Sequence, residues 1–190
     1  MAIFYIRHGQ SLANKRSVFA GQRDDSLLTN MGEYQAKQAV DDLVGIDINL
    51  IISSNLKRAS KTASIIANLI GYKEDKIIYD DRIIEYDMGD LTGSPIKNLT
   101  SIDLVNSAGS EDPLLFRQRV ISFLQAYNDY PANVLVVSHA AVGRAIECAK
   151  QNLDPYRFYD LAPYPNARVI ELDLRWLPTT TSATTTSATG

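Results

Sequence analysis

Five short β-rich runs, separated by stretches with helical spacing, restrict this chain more than any other feature. Residues 2–6 (AIFYI) and 133–137 (NVLVV) are the longest runs, 50–52 (LII) and 77–79 (IIY) are shorter, and 168–172 (RVIEL) alternates apolar with polar. Between them, Ala36, Ala39, Val40, Leu43 and Val44 share one helical face, as do Leu56, Ala59, Ala63, Ile66, Ala67 and Ile70, with Gly71 as a helix stop. A third helix is predicted from Asp112 and Pro113 as cap and first-turn residues; it turns Phe116, Val120, Phe123, Leu124 and Tyr127 inward and ends before Pro131. A fourth carries Val142, Ala145, Ile146 and Ala149, and residues 100–110 read as a loop or short connecting segment. Strands alternating with helices of this length predict an α/β fold, a three-layer α/β/α sandwich with a mainly parallel central sheet.

Composition narrows the function classes. Residues 179–190, TTTSATTTSATG, hold no large apolar side chain, so a single catalytic domain is expected over residues 1–178 with a disordered, solvated tail behind it. One cysteine excludes a disulfide framework and a multi-cysteine zinc cluster, and Cys148, on the apolar side of its helix, reads as a buried, inert thiol. The opening MAIFYIRHG has an apolar run too short for a signal sequence or a membrane span, so a cytoplasmic protein without a membrane partner is expected. A net charge of −3 argues against a broad nucleic-acid surface, which leaves a focused site for a small phosphorylated ligand. No GxGxxG, GxxxxGK[ST] or HExxH pattern occurs. The doublets Asp24–Asp25 and Asp80–Asp81 are explained by turn chemistry, and no metal site or cofactor is expected.

In an open parallel sheet, ligands sit beyond the carboxyl ends of the strands. There the first run leads into Arg7, His8 and Gly9, the second through Ser53, Ser54 and Asn55 to Arg58, and the fourth into Ser138 and His139. The chain has two histidines, and both stand at such exits, where packing does not explain them. Guanidinium groups and a helix N-terminus match the oxygens of a phosphate. The histidines then need unlike protonation states: one neutral, with a ring nitrogen held protonated by a nearby carbonyl so that the other presents its lone pair, and one cationic.

These residues stand in five ordered segments: RHGQSLAN at 7–14, FAGQRDDSLLTNMGEYQA at 19–36, SSNLKRASKTA at 53–63, IIEYDMGDLTG at 83–93 and VVSHAAVGR at 136–144. Together they resemble the histidine phosphatase superfamily, the phosphoglycerate mutase-like enzymes. The resemblance implies the fold of that superfamily, with His8 as nucleophile forming a phosphohistidine. It further implies that Arg7, Arg58, His139, Asn14 and Ala140 surround the phosphate and that Glu85 serves as proton donor. Gln10, Gly21 and Gln22 fall in segments that approach the substrate in the family. The chemistry is coherent: a loose phosphoryl-transfer transition state needs positioning and cations, and a covalent intermediate splits one displacement into two.

Within the superfamily the phosphoryl group passes either to water or to a second substrate hydroxyl. The mutases have a longer insertion after the acid-bearing strand and an ERHYG-like run after the Glu; here Glu85 is followed by YDMGDLTG, and residues 94–110 offer Lys97 alone as a cation. The expectation is therefore a metal-independent phosphomonoesterase acting on a small phosphate ester, with a phosphoglycerate mutase as the alternative and a non-catalytic phosphate-binding module as a third reading. The residue types leave the ester and the oligomeric state open. Tyr156, Trp176 and their aromatic neighbours are expected in the core or at a pocket rim.

Overall fold

A computed structural model describes residues 1–96 and 99–177 of the chain. Lys97 and the tail at 179–190 lie outside the described residues. The sheet consists of β1 (Ile3–Arg7), β2 (Leu50–Ser53), β3 (Ile78–Tyr79), β4 (Val134–Ser138) and β5 (Val169–Glu171) in the order β3-β2-β4-β1-β5. Neighbours pair in parallel except β5, which runs antiparallel to β1 at the edge. Each predicted run holds its strand to within one residue at either end.

The period of two along each strand divides the core. Ile3, Tyr5, Leu50, Ile52, Val134 and Val136 face one way, packing on α5 (Pro113–Tyr127) and α6 (Ala140–Lys150) through Phe116, Val120, Phe123, Val142 and Ile146. Phe4, Ile6, Ile51, Leu135 and Val137 face the other way, onto Ala59, Ala63, Ile66 and Ala67 of α3 (Lys57–Ile70). Both faces are covered, which is the three-layer α/β/α sandwich expected from the sequence. Asp112 caps α5 as read, its carboxylate accepting from the backbone N–H of Leu114 and Leu115 at 2.8 and 3.0 Å. Of the Tyr-rich stretch, Phe158 and Tyr159 join the core and meet Tyr86 edge to face, whereas Tyr156 is exposed.

Two local expectations are corrected. The helix read through Val44 divides: α2 (Asn30–Gln38) stops, and a 3₁₀ turn follows at Asp41–Leu43. Ala39 and Leu43 still reach the core, but Val44 is 79% exposed. The tighter winding of three residues per turn rotates it off the shared face. Residues 100–110 contain a one-turn helix, α4 (Ser101–Val105), closed by a capping box in which Thr100 and Asp103 exchange hydrogen bonds.

Gly9 and Gly32 let two segments meet at backbone distance. A Cβ on Gly32 would lie 2.1 Å from the carbonyl oxygen of Gln10, and one on Gly9 2.2 Å from that of Gly32. The first turn of α2 thus rests directly on the chain leaving His8. In an open helix Gly→Ala stabilises by about 1 kcal/mol, whereas here Gly32→Ala is expected to destabilise by about 1–3 kcal/mol through overpacking. Urea unfolding of the variant measures the sign.

Candidate active site

Parallel pairing puts three strand exits side by side. Arg7 is in register with Ser138 and Ser53 with Val137; just beyond, the His8 N–H donates to Ser138 O at 2.9 Å and the Ser54 N–H to Val137 O at 3.0 Å. His8 and His139, 131 positions apart, meet edge to face with ring centroids 5.2 Å apart. Both are buried, at 2% and 0% exposure. In front of them opens a cavity of about 470 Å³, bordered by Arg7, His8, Asn14, Arg58, Glu85 and Arg144 and walled on the apolar side by Phe19, Met88, Leu104 and Tyr159. A cleft of about 670 Å³ lies at the amino end of β1, around Met1 and Asp173, with no histidine on its walls.

The His8 ring is oriented by its own backbone. Nδ1 lies 2.7 Å from Gly9 O, and a carbonyl only accepts, so Nδ1 carries the proton and Nε2 holds a lone pair. Burial, then the charges of Arg58 and Arg7, push the His8 pKa well below its ordinary 6.5 against the opposing pull of the Gly9 carbonyl. Burial, Arg58, His8 and Arg7 push His139 the same way. The two rings share one buried, cationic environment, which pushes both toward the neutral form.

The two arginines are fixed by carbonyls, with no carboxylate paired to either among the described residues. Arg58, 1% exposed in the first turn of α3, donates to Gly21 O at 2.8 Å and Asp24 O at 2.9 Å, binding the 19–25 loop to the site. Arg7 donates from Nη1 to Tyr164 O at 3.2 Å, and its buried Nε has no partner. Their charge is thus left for a ligand. Asn14 both caps a helix and lines the cavity: its Oδ1 accepts from the Ser11 N–H at 3.1 Å within the capping box of α1 (Leu12–Arg16), leaving its amide N–H₂ as the free end.

Glu85 is held by one neighbour in sequence and by groups from distant parts of the chain. Its Oε1 accepts from the Ala141 N–H at 3.0 Å, at the N-terminus of α6, and from the Tyr86 N–H at 3.1 Å. Its carbonyl accepts from Gln22 Nε2 at 2.8 Å and Arg119 Nη2 at 3.1 Å. Arg119 also takes the carbonyls of Arg82 and Ile84, and its ion pair with Glu111 is 2.7 Å long.

Of the other positions singled out in the sequence, Ala140 and Gly21 line the cavity and His139 lies directly behind it. Gln10 and Gln22 do not line it. The Gln10 side chain accepts from Thr29 Oγ1 at 2.9 Å and that of Gln22 is spent on the Glu85 carbonyl, so both brace loops that border the site. Sequence reasoning missed Arg144 and Arg119 as site residues, while Tyr159 stands at the cavity wall as the aromatic stretch was expected to and Ser54 stands at its strand exit. Arg144 donates from Nε to Leu161 O at 2.8 Å and lies over the Tyr159 ring at 5.1 Å. Its position four residues after Ala140, on the same helical face, was the available signal. Arg119 had none, because the carbonyls it binds follow from tertiary packing alone. Cys148 is buried against Leu153 and Asp154, and burial pushes its pKa up, so the inert reading stands.

The mainly parallel sheet in the order β3-β2-β4-β1-β5, covered by helices on both faces, is a phosphoglycerate mutase-like fold. The family model described as "Histidine phosphatase superfamily (branch 1)" matches residues 3–176, and the chain belongs to that superfamily. It is 30% identical to fructose-2,6-bisphosphatase TIGAR of Xenopus laevis over 87% of this chain and 62% of that protein. It is 38% identical to the 2,3-bisphosphoglycerate-dependent phosphoglycerate mutase of Thermoplasma acidophilum over 50% of this chain and 46% of that one. The matches thus span under two thirds of both relatives. Among solved structures, mycobacterial glucosyl-3-phosphoglycerate phosphatase in complex with VO3 superposes with a TM-score of 0.75 at 25% identity, covering 90% of this chain and 92% of that one. No helix among the described residues is long and apolar enough to cross a membrane.

The neutral histidines have a stability consequence. A histidine harder to protonate when folded leaves the unfolded chain binding more protons at acid pH, so its contribution is full above pH 6.5 and declines as pH falls below that value. Each fully depressed ring adds a slope of about 1.4 kcal/mol per pH unit. Unfolding free energies measured between pH 7 and 5 are expected to fall more steeply for the native chain than for a His8→Gln, His139→Gln double variant.

Proposed function

We propose that the chain is a metal-independent phosphomonoesterase that acts through a phosphohistidine at His8 on a small phosphorylated metabolite. The observation that carries this reading is the clamped His8 ring: Nδ1 is tied to Gly9 O, so Nε2 is left as an unprotonated nucleophile facing a cavity with two arginines unpaired to any carboxylate. In the first step Nε2 attacks phosphorus and the P–O bond to the alcohol breaks; the leaving oxygen takes a proton from Glu85. In the second, Glu85 takes a proton from water, whose oxygen attacks phosphorus, and the P–N bond breaks to release phosphate and neutral His8. Arg7, Arg58, His139, Asn14 and the Ala140 N–H hold the equatorial oxygens, where charge accumulates. These guanidinium groups supply the positive charge that a divalent ion supplies in other phosphoryl-transfer sites.

A mutase activity is the second reading. Relatives named as phosphoglycerate mutases support it, and Arg144 adds a further cation to the cavity. Against it stands the short segment after Glu85, YDMGDLTG, which has neither the longer insertion nor the ERHYG-like run of the mutases. Interconversion of the two monophosphoglycerates faster than release of inorganic phosphate would establish the mutase.

Turnover of p-nitrophenyl phosphate is expected to survive EDTA, to be blocked by vanadate and to be abolished in His8→Ala; full activity of that variant would remove the nucleophile. Its kcat/KM should hold as the pH falls through the ordinary histidine range, because burial and the charges of Arg58 and Arg7 keep the His8 pKa well below 6.5. Glu85→Ala should cost an alkyl phosphate at least tenfold more than p-nitrophenyl phosphate, since removing general acid catalysis costs about 10²–10⁴ where the leaving group needs the proton. Equal losses on the two substrates would deny Glu85 that role. A panel of phosphate esters assayed for released phosphate identifies the substrate.

A further inference from the structure

The hydrogen-bond inventory around His139 is unusually restrictive. Its Nε2 lies 2.7 Å from Ser54 Oγ, and its Nδ1 is buried without a partner. Ser54 is itself 0% exposed. Its oxygen already accepts from the Leu56 N–H at 3.2 Å, at the entrance to α3. A hydroxyl carries one proton, and a buried proton needs an acceptor. Among the described residues, His139 Nε2 is the acceptor within reach of Ser54 Oγ. The Ser54 O–H therefore donates to Nε2, and the ring proton of neutral His139 resides on Nδ1. The backbone of His139 is fixed independently, because the buried Tyr5 hydroxyl donates to its carbonyl.

We infer that Ser54 is a positioning residue that holds His139 in its Nδ1–H tautomer, so that a neutral His139 donates a hydrogen bond from Nδ1 to a phosphoryl oxygen. Both site histidines are then Nδ1–H tautomers, but they present opposite ends. His8 spends its Nδ1–H on Gly9 O and offers a lone pair to phosphorus; His139 spends its Nε2 lone pair on Ser54 and offers a proton to oxygen. One kind of ring provides the nucleophile and a donor without either being charged. This suits a site where two guanidinium groups already make an added cation costly. The tautomer follows from the free protein; the use made of it rests on the phosphoryl-transfer reading above.

Nitrogen-15 NMR of the ligand-free, selectively labelled full chain at neutral pH tests the tautomer without any turnover. His139 is expected to show a protonated Nδ1 and an unprotonated Nε2. A proton on Nε2, or on both nitrogens, would overturn the inference whether or not the protein is a phosphatase. Ser54→Ala is expected to shift the His139 ring toward the Nε2–H form and to lower kcat for p-nitrophenyl phosphate ten- to a hundredfold with a smaller change in KM. The magnitude is that of weakening one transition-state donor, whose full removal costs about 10²–10³. Ser54→Thr, which keeps the hydroxyl, should restore both the spectrum and kcat. An unchanged tautomer and kcat in Ser54→Ala would overturn the role of Ser54. If the wild-type protein shows the expected tautomer but releases no phosphate from any ester, the hydrolase reading fails and the tautomer assignment stands.

Discussion

The parallel pairing of β1 with β4 is the constraint on which the site depends. It sets the His8 N–H against Ser138 O and so brings two segments 131 residues apart to one edge of the sheet. With β2 on the other side of β4, Ser54 and Arg58 arrive at the same edge. The strands of this inner group are apolar on both faces, so a one-residue slip would exchange one apolar face for another and the pattern alone does not fix the register; the ladder and the helices packed above and below hold it. A shift of one residue in β4 would carry His139 away from Ser54 and leave the His8 N–H without its carbonyl.

Around that edge the protein gathers cations and withholds their usual partners. Arg7 and Arg58 are anchored through backbone carbonyls, which orient a guanidinium without neutralising it. The nearest carboxylate in the cavity, Glu85, is occupied at the N-terminus of α6 through the Ala141 N–H. Neutral histidines are the complement of this arrangement, since the same burial and charge that favour an anion disfavour an imidazolium.

Much of the fold and part of the site were legible in the residues. Four strands stood out as short apolar runs and the fifth by its alternation of apolar with polar residues, and Asp112 with Pro113 announced its helix as caps do. The helix through Val44 was misjudged because a 3₁₀ turn continues an apolar pattern for only a few residues, and no local residue marks the change of pitch. His8, His139, Arg7 and Arg58 were visible as polar groups at strand exits. Gln10 and Gln22 were visible too, but a side-chain amide near a site braces a loop as readily as it binds a ligand, and only the partners Thr29 and the Glu85 carbonyl distinguish the two. Arg119 carried no local mark, and Ser54, though visible at its strand exit, gave no sign of its partner, because what each one grips is brought to it from another part of the chain.

The sequence by itself determined the layer architecture and the chemical inventory: which residues are buried on strands, which helices are amphipathic, and which nucleophile, cations and carboxylate are available at the strand ends. These depend on short-range periodicity and on functional groups, both of which survive in a linear reading. The tertiary structure decided protonation and direction. Whether a histidine is charged, which ring nitrogen carries its proton and which amide faces the cavity are set by burial and by partners tens of residues away, and these exist only once the sheet has formed.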